Sequence, residues 1–562
     1  MNLTHWPPGL PKDLLLPETS LYYNLDVSAT RYPRHPAIVY YGGSLAYAEL
    51  KRQVEAFAGY LQQRFGVRKG DRVALYLQNC PQYIVAFYAV LRADAVVVPI
   101  NPMNLQDEVR QIIADSGANV VVFEQSQAAI ITPLHDDGSV RHAVSVTYSD
   151  YLGAIGDLPV PDVVLAARAP IPGTTAWMDA LAEELVPGEH LARADDLAVI
   201  PYTSGTTGRP KGCMHTHRSV MHTAVGSPEW CRLAKDAVML VCLPMFHVTG
   251  LQNGVNSPIW LGATMVVMTR WDKRCAAMLI ERYGVTAWTA IPTMLIDFLN
   301  QPDLASRNVK SLNLLSGGGA AMPRAVAEKI QSLWGIPYIE GYGLSETMAP
   351  THTNPVHRPK AQCLGVPFFN TAAIVVDPET LQPVPAGEVG EVLVKGPQVF
   401  RGYWDNPAAT DAAFVEIEGV RYFRTGDLAR IDEDGYFFMV DRLKRMINAS
   451  GYKVWPAEVE TLLYGNAGVL EACVIGYFDP HRGESVKALV VRRPEHDLDE
   501  GTLIGWARQH MAAYKVPHAI EFVATLPKSA TGKVQWRALQ EQQSERDRAA
   551  QGSASSNGGT GS

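Results

Sequence analysis

The most informative stretch of this chain is TSGTTGRPKG, residues 203–212, which directly follows the apolar segment 197–202. Glycine lets backbone N–H groups approach an anion closely and adopt positive φ angles. Further donors come from the side chains of Thr203, Ser204, Thr206, Thr207 and Lys211, with Gly205 between them. An apolar strand followed by a loop of this composition predicts a phosphate-binding site.

A P-loop is the obvious alternative for such a loop, and it does not fit. A P-loop has the pattern G-x-x-x-x-G-K-[ST] at the start of a helix. Counted from Gly205, Pro210 takes the place of the second glycine, and Gly212 takes the place of the hydroxyl residue that binds magnesium. Pro210 also removes one N–H donor from the loop. A glycine- and threonine-rich turn without a ligand is the remaining alternative for this segment alone.

Length and composition indicate a globular protein of more than one domain. A chain of 562 residues is too long for one ordinary hydrophobic core. Hydrophobic residues make up 47% and charged residues 19%, a balance typical of folded proteins. The net charge of −8 gives no general attraction to nucleic acid, so we expect no nucleic-acid partner.

The cysteines and the apolar segments favour a cytoplasmic protein. The seven cysteines contain no C-x-x-C pair, which suits a reducing compartment and implies no zinc site. The N-terminal segment MNLTHWPPGLPKD lacks the basic and apolar regions of a secretory signal. The longest apolar run, residues 83–100, is broken by Arg92 and Asp94, so we expect no transmembrane segment. Peripheral contact with a membrane stays open.

The spacing of apolar residues predicts an α/β fold. Leu50, Val54, Phe57 and Leu61 share one helical face, and residues 73–77 alternate as a strand. Strands and helices alternate up to the glycine-rich loop and again after it, with strands expected at 238–243, 264–268, 287–291 and 312–315. This alternation predicts two mostly parallel sheets covered by helices.

Two changes of pattern divide the rest of the chain. From residue 372 to residue 440, short β segments with Pro, Gly and Asp indicate a mostly antiparallel β subdomain. After Asp441, helices and strands mix again in a compact α+β unit. We therefore expect a large N-terminal domain at residues 1–440, a small mobile C-terminal domain at 441–545 and a flexible tail at 546–562.

Five further motifs follow the first loop in a defined order. They are PMFHVTG (244–250), SGGGA (316–320), GYGLSET (341–347), RTGDL (424–428) and PKSATGKVQWR (527–537). All six together closely resemble the motifs of the adenylate-forming superfamily, which includes acyl-CoA synthetases, aryl-CoA ligases, firefly luciferase and the adenylation domains of peptide synthetases. The resemblance covers about residues 20–540 and is closest to fatty-acyl-CoA synthetases.

The resemblance implies an AMP-forming acid–thiol ligase that uses ATP, Mg²⁺ and coenzyme A. A carboxylate attacks the α-phosphate of ATP to form an acyl adenylate, and a thiol then displaces AMP. Two like charges about 4 Å apart repel by about 4 kcal/mol at an effective dielectric constant near 20, so cations must offset this repulsion. The resemblance assigns that role to Lys533, Lys211 and magnesium, with Lys533 reaching the α-phosphate and the substrate carboxylate.

The resemblance also assigns the other nucleotide contacts. Glu346 would bind magnesium, which suits a hard oxygen ligand. Tyr342 would stack on adenine, Thr347 would bind phosphate, and Asp427 would accept both ribose hydroxyls. The predicted nucleotide site further includes Gly317, Gly318, Gly341 and Arg442. The structural alternatives are helix capping for Glu346, core packing for Tyr342 and a turn for Asp427.

The second step of the reaction implies a movement of the small domain. Lys444 matches the family's hinge position, where one backbone rotation exchanges an adenylating pose for a thioester-forming pose. Lys533 would obstruct the thiol in the second step, so a domain that carries it is expected to move away. Gly451 would belong to the face presented in the second step. Asn448 stands where firefly luciferase has a lysine, which argues against luciferase-type oxygenation.

The expected acyl pocket rests on fewer residues. His247 would lie at the mouth of the pocket, between the substrate and the CoA tunnel, with simple packing as the alternative. The glycines at 317–319 would leave space for an aliphatic chain, and apolar lining would come from Val248, Leu251 and Met348. These residues favour a medium- to long-chain fatty acid and a role in lipid metabolism.

Three other functions stay open at this point. The chain could be an aryl or other organic-acid CoA ligase, or it could transfer the acyl group to the phosphopantetheine thiol of a carrier protein. A non-catalytic nucleotide-binding protein is expected to lack Lys533, Glu346 or Asp427, and all three are present. The expected partners are a small carboxylic acid, ATP and CoA, in a monomer or homodimer.

Overall fold

The computed structural model describes residues 5–203, 210–449, 452–479, 483–528 and 534–556. Packing divides the chain into a larger unit, residues 1–373, 394–424 and 434–436, and a smaller unit, residues 374–393, 425–433 and 437–562. We expected residues 374–393 and 425–433 in the large domain, whereas they pack with the C-terminal residues. The domain boundary at 440/441 stays a prediction.

The secondary structure alternates between strands and helices over most of the chain. The strands are β1 (Pro36–Tyr40), β2 (Gly43–Ala46), β3 (Arg72–Tyr76), β4 (Val96–Pro99), β5 (Val120–Glu124), β6 (His142–Val146), β7 (Thr175–Ala176), β8 (Leu197–Val199), β9 (Tyr202–Thr203), β10 (Lys211–Gly212), β11 (His215–Thr216), β12 (Val238–Val241), β13 (Thr264–Val267), β14 (Ala287–Thr289), β15 (Leu314–Gly318), β16 (Tyr338–Tyr342), β17 (His352–Thr353), β18 (Val366–Pro367), β19 (Ala372–Val376), β20 (Gly390–Lys395), β21 (Phe414–Ile417), β22 (Val420–Ile431), β23 (Phe437–Arg442), β24 (Ile447–Ala449), β25 (Tyr452–Val454), β26 (Val469–Asp479), β27 (Gly483–Arg492) and β28 (Ala519–Phe522). The α-helices are α1 (Tyr22–Arg31), α2 (Tyr47–Gln63), α3 (Pro81–Arg92), α4 (Gln106–Ser116), α5 (Ala128–Asp136), α6 (Asp162–Leu165), α7 (Trp177–Ala182), α8 (His217–Cys231), α9 (Val248–Leu251), α10 (Ser257–Leu261), α11 (Lys273–Tyr283), α12 (Pro292–Leu299), α13 (Arg324–Trp334), α14 (Pro407–Ala413), α15 (Pro456–Leu463), α16 (Glu500–His510) and α17 (Trp536–Ser556).

The first sheet of the larger unit has the strand order β11-β8-β4-β3-β5-β6-β7 in the part of the chain that the structure describes. β3 pairs in parallel with β4 and with β5. Successive residues of β3 enter different cores: Leu75 packs in the cluster that contains helix α3, and Tyr76 packs in the cluster that contains α4. Helices therefore cover both faces, which explains why β4 and β5 are buried along their whole length.

The second sheet of the larger unit carries the motifs of the predicted nucleotide site. Its order over the described residues is β18-β17-β16-β15-β14-β12-β13-β1-β2. The strands from β16 to β1 in this order pair in parallel, and the outer strands β2, β17 and β18 pair antiparallel. The prediction of two mostly parallel sheets is confirmed. β15 and β16 end at SGGGA and GYGLSET, at the carboxyl edge where ligands of parallel sheets bind.

The segment after β18 is antiparallel, as its punctuated sequence predicts. In the larger unit β21 pairs antiparallel with the start of β22, from Phe414 opposite Phe423 to Ile417 opposite Val420. In the smaller unit the end of β22 pairs antiparallel with β23.

The C-terminal part of the smaller unit is a separate α+β layer. Its sheet has the order β25-β24-β27-β26, with β28 parallel to β27. Val459 of α15 and Leu503 of α16 enter one buried cluster with Val474, Val486 and Val490 of the β26–β27 hairpin. The predicted small α+β C-terminal domain is confirmed as a fold.

Helix α17 corrects the prediction of a flexible tail from residue 546. The helix continues to Ser556, and within it Arg546 forms an ion pair of 3.0 Å with Glu521. Outward-facing N–H groups of edge strand β26 donate to side chains: Val474 to Glu460, Gly476 to Gln540 and Phe478 to Asp547. Gln540 and Asp547 of helix α17 thus satisfy N–H groups at a strand edge, and Asp547 lies within the segment expected to be a flexible tail.

All seven cysteines lie in described ranges, and no disulfide joins them. Six are buried and Cys231 is half-buried. Burial raises the pKa of the thiols of Cys231, Cys242, Cys275 and Cys473 to about 12, and it also raises the pKa of Cys80 and Cys213. Among the described residues, no helix combines the length and apolar character needed to cross a bilayer.

Candidate active site

A short hairpin flanks the glycine-rich loop. β9 and β10 pair antiparallel, with Lys211 opposite Thr203 and Gly212 opposite Tyr202. A Cβ atom at Gly212 would lie 2.6 Å from Ile200 Cγ2, so a larger residue there would force a neighbouring side chain to shift. The loop residues Ser204, Gly205, Thr206 and Thr207 lie outside the described residues. The structure therefore places the two ends of the predicted phosphate loop beside each other.

A segment distant in sequence, residues 400–404, runs alongside the end of this hairpin. Backbone hydrogen bonds join Met214 N–H to the Gly402 carbonyl (3.0 Å), Arg401 N–H to the Met214 carbonyl (2.9 Å) and Trp404 N–H to the Gly212 carbonyl (2.8 Å). This pairing brings Tyr403 beside Lys211, whose Nζ lies 5.0 Å from the centroid of the Tyr403 ring. That distance is within the range of a cation–π contact.

Tyr403 also contacts the predicted magnesium ligand. Its hydroxyl donates a hydrogen bond of 2.9 Å to Glu346 Oε1. Burial and the neighbouring Glu346 carboxylate raise the pKa of the Tyr403 phenol, so its hydroxyl keeps its proton. Tyr403 thus connects Lys211, which the resemblance assigns to phosphate, with Glu346, which it assigns to magnesium. Sequence reasoning missed this residue, although it lies in the string FRGYWDNP.

The GYGLSET motif forms a tight turn after β16. Residues Ser345–Thr347 make one 3₁₀ turn, and Thr347 is completely buried. Leu344 N–H donates to Thr347 Oγ1 at 2.9 Å, and Phe400 N–H donates to the Glu346 carbonyl at 2.8 Å. The Thr347 hydroxyl therefore caps its own turn. Its bond to phosphate stays a prediction.

A buried histidine joins this turn to the strand after the phosphate loop. His215 Nε2 lies 2.7 Å from the Ser345 carbonyl oxygen, and His215 Nδ1 lies 3.2 Å from Ser219 Oγ. Burial lowers the pKa of His215 to about 4, so the ring is neutral near neutral pH. A neutral ring can donate from Nε2 to Ser345 and accept from Ser219 at Nδ1. Sequence reasoning did not identify this contact.

Gly317 and Gly318 of the SGGGA motif are required by the close approach of neighbouring backbones. A Cβ atom at Gly317 would lie 1.9 Å from the Ala290 carbonyl oxygen, and one at Gly318 would lie 2.2 Å from the Gly341 carbonyl oxygen. Gly318 and Gly341 face each other in the β15–β16 pair. Backbone packing alone therefore explains why both positions are glycine. Their presence gives no support for a particular length of acyl chain.

A second missed residue, Glu340, lies in β16 immediately before the motif. Its carboxylate accepts hydrogen bonds from the N–H groups of Met322 (3.1 Å) and Cys363 (3.0 Å). Burial raises the pKa of Glu340 to about 7, although the backbone N–H donors oppose this effect. The signal in the sequence that could have identified Glu340 is a glutamate within the apolar run PYIEGY. Glu340 therefore connects the loop at Met322, before β16, and the loop at Cys363, after it, to the strand that carries Tyr342.

The predicted adenine and acyl contacts have ordinary structural neighbours as well. The half-buried Tyr342 ring lies 5.8 Å from the ring of His352. His247 precedes helix α9, and its Nδ1 accepts a long hydrogen bond of 3.4 Å from Thr249 N–H, which is a helix-capping contact. Val248, Leu251 and Met348 are buried in the large core cluster. The adenine contact of Tyr342 and the pocket roles of these other residues stay predictions.

In the smaller unit, Asp427 and Arg442 lie opposite each other in the β22–β23 pair. Arg442 Nε is 3.0 Å from Asp427 Oδ1, and Asp427 is almost completely buried while Arg442 is half exposed. Thr425 Oγ1 accepts from Asp427 N–H at 3.1 Å and so supports the RTGDL turn. The structure therefore brings these two predicted nucleotide ligands together. Their contacts with ribose stay predictions.

The predicted hinge residue, Lys444, lies in the 3₁₀ turn Leu443–Arg445 directly after β23. Its neighbour Arg445 is largely buried and forms ion pairs with Glu460 and, at 3.8 Å, with Asp441. Asp441 Oδ2 accepts from Ala457 N–H at 2.6 Å, at the start of α15. Arg445, directly after Lys444, and Asp441, three residues before it, are thus both held by contacts within this unit. Gly451 and Lys533 lie outside the described residues.

Among the described residues, Glu346 offers a carboxylate that suits a magnesium ion at this site. Within these ranges, no group of three His, Cys, Asp or Glu side chains converges. Glu346 offers one half-buried carboxylate, and Tyr403 orients one of its oxygens. Magnesium commonly binds through one or two carboxylates, substrate phosphates and water. The residues present therefore fit a magnesium ion that arrives with the triphosphate.

The two α/β sheets, the phosphate-loop hairpin, the acidic turn and the α+β unit define the class of adenylate-forming ligases. Models of known families agree with this assignment: the AMP-binding enzyme model matches residues 25–404, and the AMP-binding enzyme C-terminal domain model matches residues 458–533. The chain belongs to the AMP-binding enzyme family. The predictions of this superfamily and of an AMP-forming acid–thiol ligase are confirmed.

Similar proteins extend over almost the whole chain. A long-chain-fatty-acid–CoA ligase of Bacillus subtilis is 34% identical over 553 residues, which cover 97% of this chain and 98% of the relative. A feruloyl-CoA synthase of Amycolatopsis sp is 35% identical over 511 residues, covering 90% and 96%. Among solved structures, ATP-bound MatB of Rhodopseudomonas palustris is 29% identical with a TM-score of 0.83, covering 94% of this chain and 99% of MatB.

Proposed function

We propose that this protein is an ATP-dependent fatty-acid–CoA ligase that acts on medium- to long-chain acids. The observation that carries the proposal is the convergence of Lys211 and Glu346 on Tyr403 beside the phosphate loop. The extended similarity to the long-chain-fatty-acid–CoA ligase of Bacillus subtilis supports the substrate class. We include a magnesium requirement, a role in lipid metabolism and a cytoplasmic location in the proposal.

In the first step, a carboxylate oxygen of the acid attacks the α-phosphorus of ATP. A phosphorus–oxygen bond forms, the bond to the bridging oxygen of the β-phosphate breaks, and pyrophosphate leaves. Lys211 would hold phosphate oxygens, and Lys533 would reduce the repulsion between the carboxylate and the α-phosphate. Glu346 would hold magnesium, which when bound neutralises part of the charge of the triphosphate.

In the second step, the thiol sulfur of CoA attacks the acyl carbonyl carbon. A carbon–sulfur bond forms, the carbon–oxygen bond to AMP breaks, and the thiol proton passes to solvent. We assign Asp427 and Arg442 to the ribose and phosphate region of the nucleotide. We assign Lys444 to the hinge and Gly451 to the surface used in this step, and His247 to the acyl side. These assignments rest on the motif resemblance.

An acid panel tests the function. The purified protein is incubated with ATP, Mg²⁺ and either hexanoate, laurate, palmitate, benzoate, cinnamate or ferulate, with and without CoA. We expect pyrophosphate release with the aliphatic acids, highest with laurate or palmitate, and acyl-CoA with AMP when CoA is present. Turnover confined to the aromatic acids would overturn the fatty-acid proposal.

An aryl-CoA ligase is the second candidate. The observation in its favour is the feruloyl-CoA synthase, which is 35% identical to this chain. The same panel separates the two candidates, because a site shaped for ferulate would prefer cinnamate and ferulate to laurate. Replacing CoA by a phosphopantetheine-bearing carrier protein tests the third candidate, acyl transfer to a carrier protein. Faster transfer to the carrier than to CoA would favour that alternative.

A further inference from the structure

Tyr403 lies between two charged groups of the predicted site, Lys211 and Glu346, but it belongs to none of the six motifs. Lys211 Nζ lies 5.0 Å from the centroid of its ring, and Glu346 Oε1 accepts its hydroxyl at 2.9 Å. Lys211 thus contacts the phenol through the ring, whereas Glu346 contacts it through the hydroxyl. One side chain therefore contacts the cation and the anion at the same time.

The backbone around Tyr403 is fixed independently of the nucleotide. Tyr403 N–H donates to Thr410 Oγ1 at 2.9 Å, and the Tyr403 backbone pairs with that of Cys213 in an isolated antiparallel bridge. Phe400 packs its ring 4.9 Å from that of Tyr403. Two of these contacts fix the backbone at Tyr403, and Phe400 packs against the ring itself, so the position of the ring does not depend on Lys211 and Glu346 alone.

The buried Cys213 pairs with Tyr403 through the backbone, and the charges of Glu346 and Lys211 both act on its thiol. Burial raises the pKa of Cys213, the negative charge of Glu346 raises it further, and the positive charge of Lys211 lowers it. Lys211, Glu346 and Tyr403 are themselves half-buried beside the completely buried Cys213. Partial withdrawal from water strengthens a charge-assisted hydrogen bond such as that from Tyr403 to Glu346.

We propose that Tyr403 is a positioning residue that aims the Glu346 carboxylate toward the metal–triphosphate complex while its ring guides Lys211. The inference rests on the proposed function, because it takes Glu346 as the residue that holds magnesium. The hydroxyl occupies one lone pair of Oε1 and thereby leaves the remaining carboxylate lone pairs in a defined direction. Tyr403 itself touches neither substrate nor metal in this proposal.

Binding measurements without any acid substrate test the hydroxyl. Tyr403→Phe keeps the ring beside Lys211 and removes only the bond to Glu346. We expect the affinity for ATP in the presence of Mg²⁺, measured by calorimetry, to fall about tenfold, as for the loss of a hydrogen bond to a charged group. The affinity for AMP without metal should change less than about twofold, because AMP needs no metal-binding carboxylate.

Tyr22→Phe is the matched control. The Tyr22 hydroxyl also donates to a carboxylate, that of Glu55, and the Tyr22 side chain is buried. Helix α1 carries Tyr22 and none of the predicted site residues, so this variant should bind both nucleotides as the unchanged protein does. Equal affinity of Tyr403→Phe and the unchanged protein for ATP with Mg²⁺ would overturn the proposal. An equal loss for ATP and AMP would also overturn it.

Two further measurements separate positioning from general damage. Replacing Tyr403 by p-aminophenylalanine keeps a donor at the same place and should restore ATP affinity to within about threefold. In a Glu346→Gln background, Tyr403→Phe should weaken binding by less than about twofold more, because the charge that the hydroxyl orients is gone. Failure of the amino variant to restore binding would refute the role of the hydroxyl.

These measurements do not depend on the acid substrate. If the acid panel gave no turnover with fatty acids, the proposed function would fail while the ATP and AMP titrations still reported on Tyr403. If the panel succeeded and Tyr403→Phe bound ATP normally, only the positioning role would fail.

Discussion

Acid should unfold the larger unit, because four buried histidines in it are neutral. Burial lowers the pKa of His215 and His222 from 6.5 to about 4 and that of His217 and His352 to about 3. An unfolded chain binds these protons below pH 6.5, whereas the folded chain does not. The stability from the neutral rings is therefore complete above that pH and is lost as the pH falls toward the folded pKa values.

The expected size of the effect follows from these pKa values. At pH near 5 each histidine destabilises the folded state by about 2 kcal/mol, so all four together cost about 8 kcal/mol. Glu340 acts in the opposite direction, because its raised pKa of about 7 lets the folded state bind a proton first. It returns about 2.5 kcal/mol between about pH 8 and about pH 5, which leaves a net loss of about 5.5 kcal/mol. A loss of this size is comparable with the whole stability of many domains.

Urea unfolding followed by circular dichroism near pH 8 and near pH 5 measures this loss. We expect the midpoint to fall markedly at the lower pH. His222→Gln should remove about a quarter of the histidine contribution, since it deletes one of four similar groups. The exposed His496 offers the matched control, because His496→Gln leaves the four buried rings unchanged. An equal or higher midpoint near pH 5 would refute the reasoning.

Three further predictions concern packing and the two reaction steps. Gly317→Ala should lower the free energy of unfolding by about 1–3 kcal/mol, because its Cβ would meet the Ala290 carbonyl. Gly505→Ala, in a helix with open space around it, should raise the free energy of unfolding by up to about 1 kcal/mol. Equal unfolding midpoints for the two variants would contradict this prediction. Ending the chain at Glu545 should lower the free energy of unfolding by about 1–2 kcal/mol, because the contacts of Arg546 and Asp547 are lost. Ending it at Ser556 should leave the urea unfolding midpoint unchanged. Lys533→Ala should slow adenylation by a factor of roughly 10² to 10³ and affect thioester formation from supplied acyl adenylate much less. An equal loss of rate in both half-reactions would contradict the role assigned to Lys533.

The repeating parts of the fold were predictable from local patterns. Leu50, Val54, Phe57 and Leu61 are all buried on one face of α2, as their helical spacing predicts. Strands such as β12 and β13 also lie within one or two residues of their predicted positions. These features depend on the periodic spacing of buried apolar residues, which can be read directly from the sequence.

The parts that were not predictable depend on contacts between distant segments. Nothing near GYGLSET indicates that Tyr403 donates to Glu346 or that His215 contacts Ser345, because these bonds exist only after the sheets assemble. The helical character of residues 546–556 was missed for the same reason. Asp547 looks like a residue of a polar tail until strand β26 presents Phe478 N–H to it.

The packing of the cysteines has a practical consequence for following the predicted domain rotation. Thiols that are withdrawn from solvent and hold their protons react slowly with maleimide dyes, since the thiolate is the nucleophile. A pair of cysteines introduced on exposed positions of the two units should therefore take up fluorophores selectively, with the seven natural residues left in place. Energy transfer between such dyes could then report whether the chain changes pose between its two half-reactions.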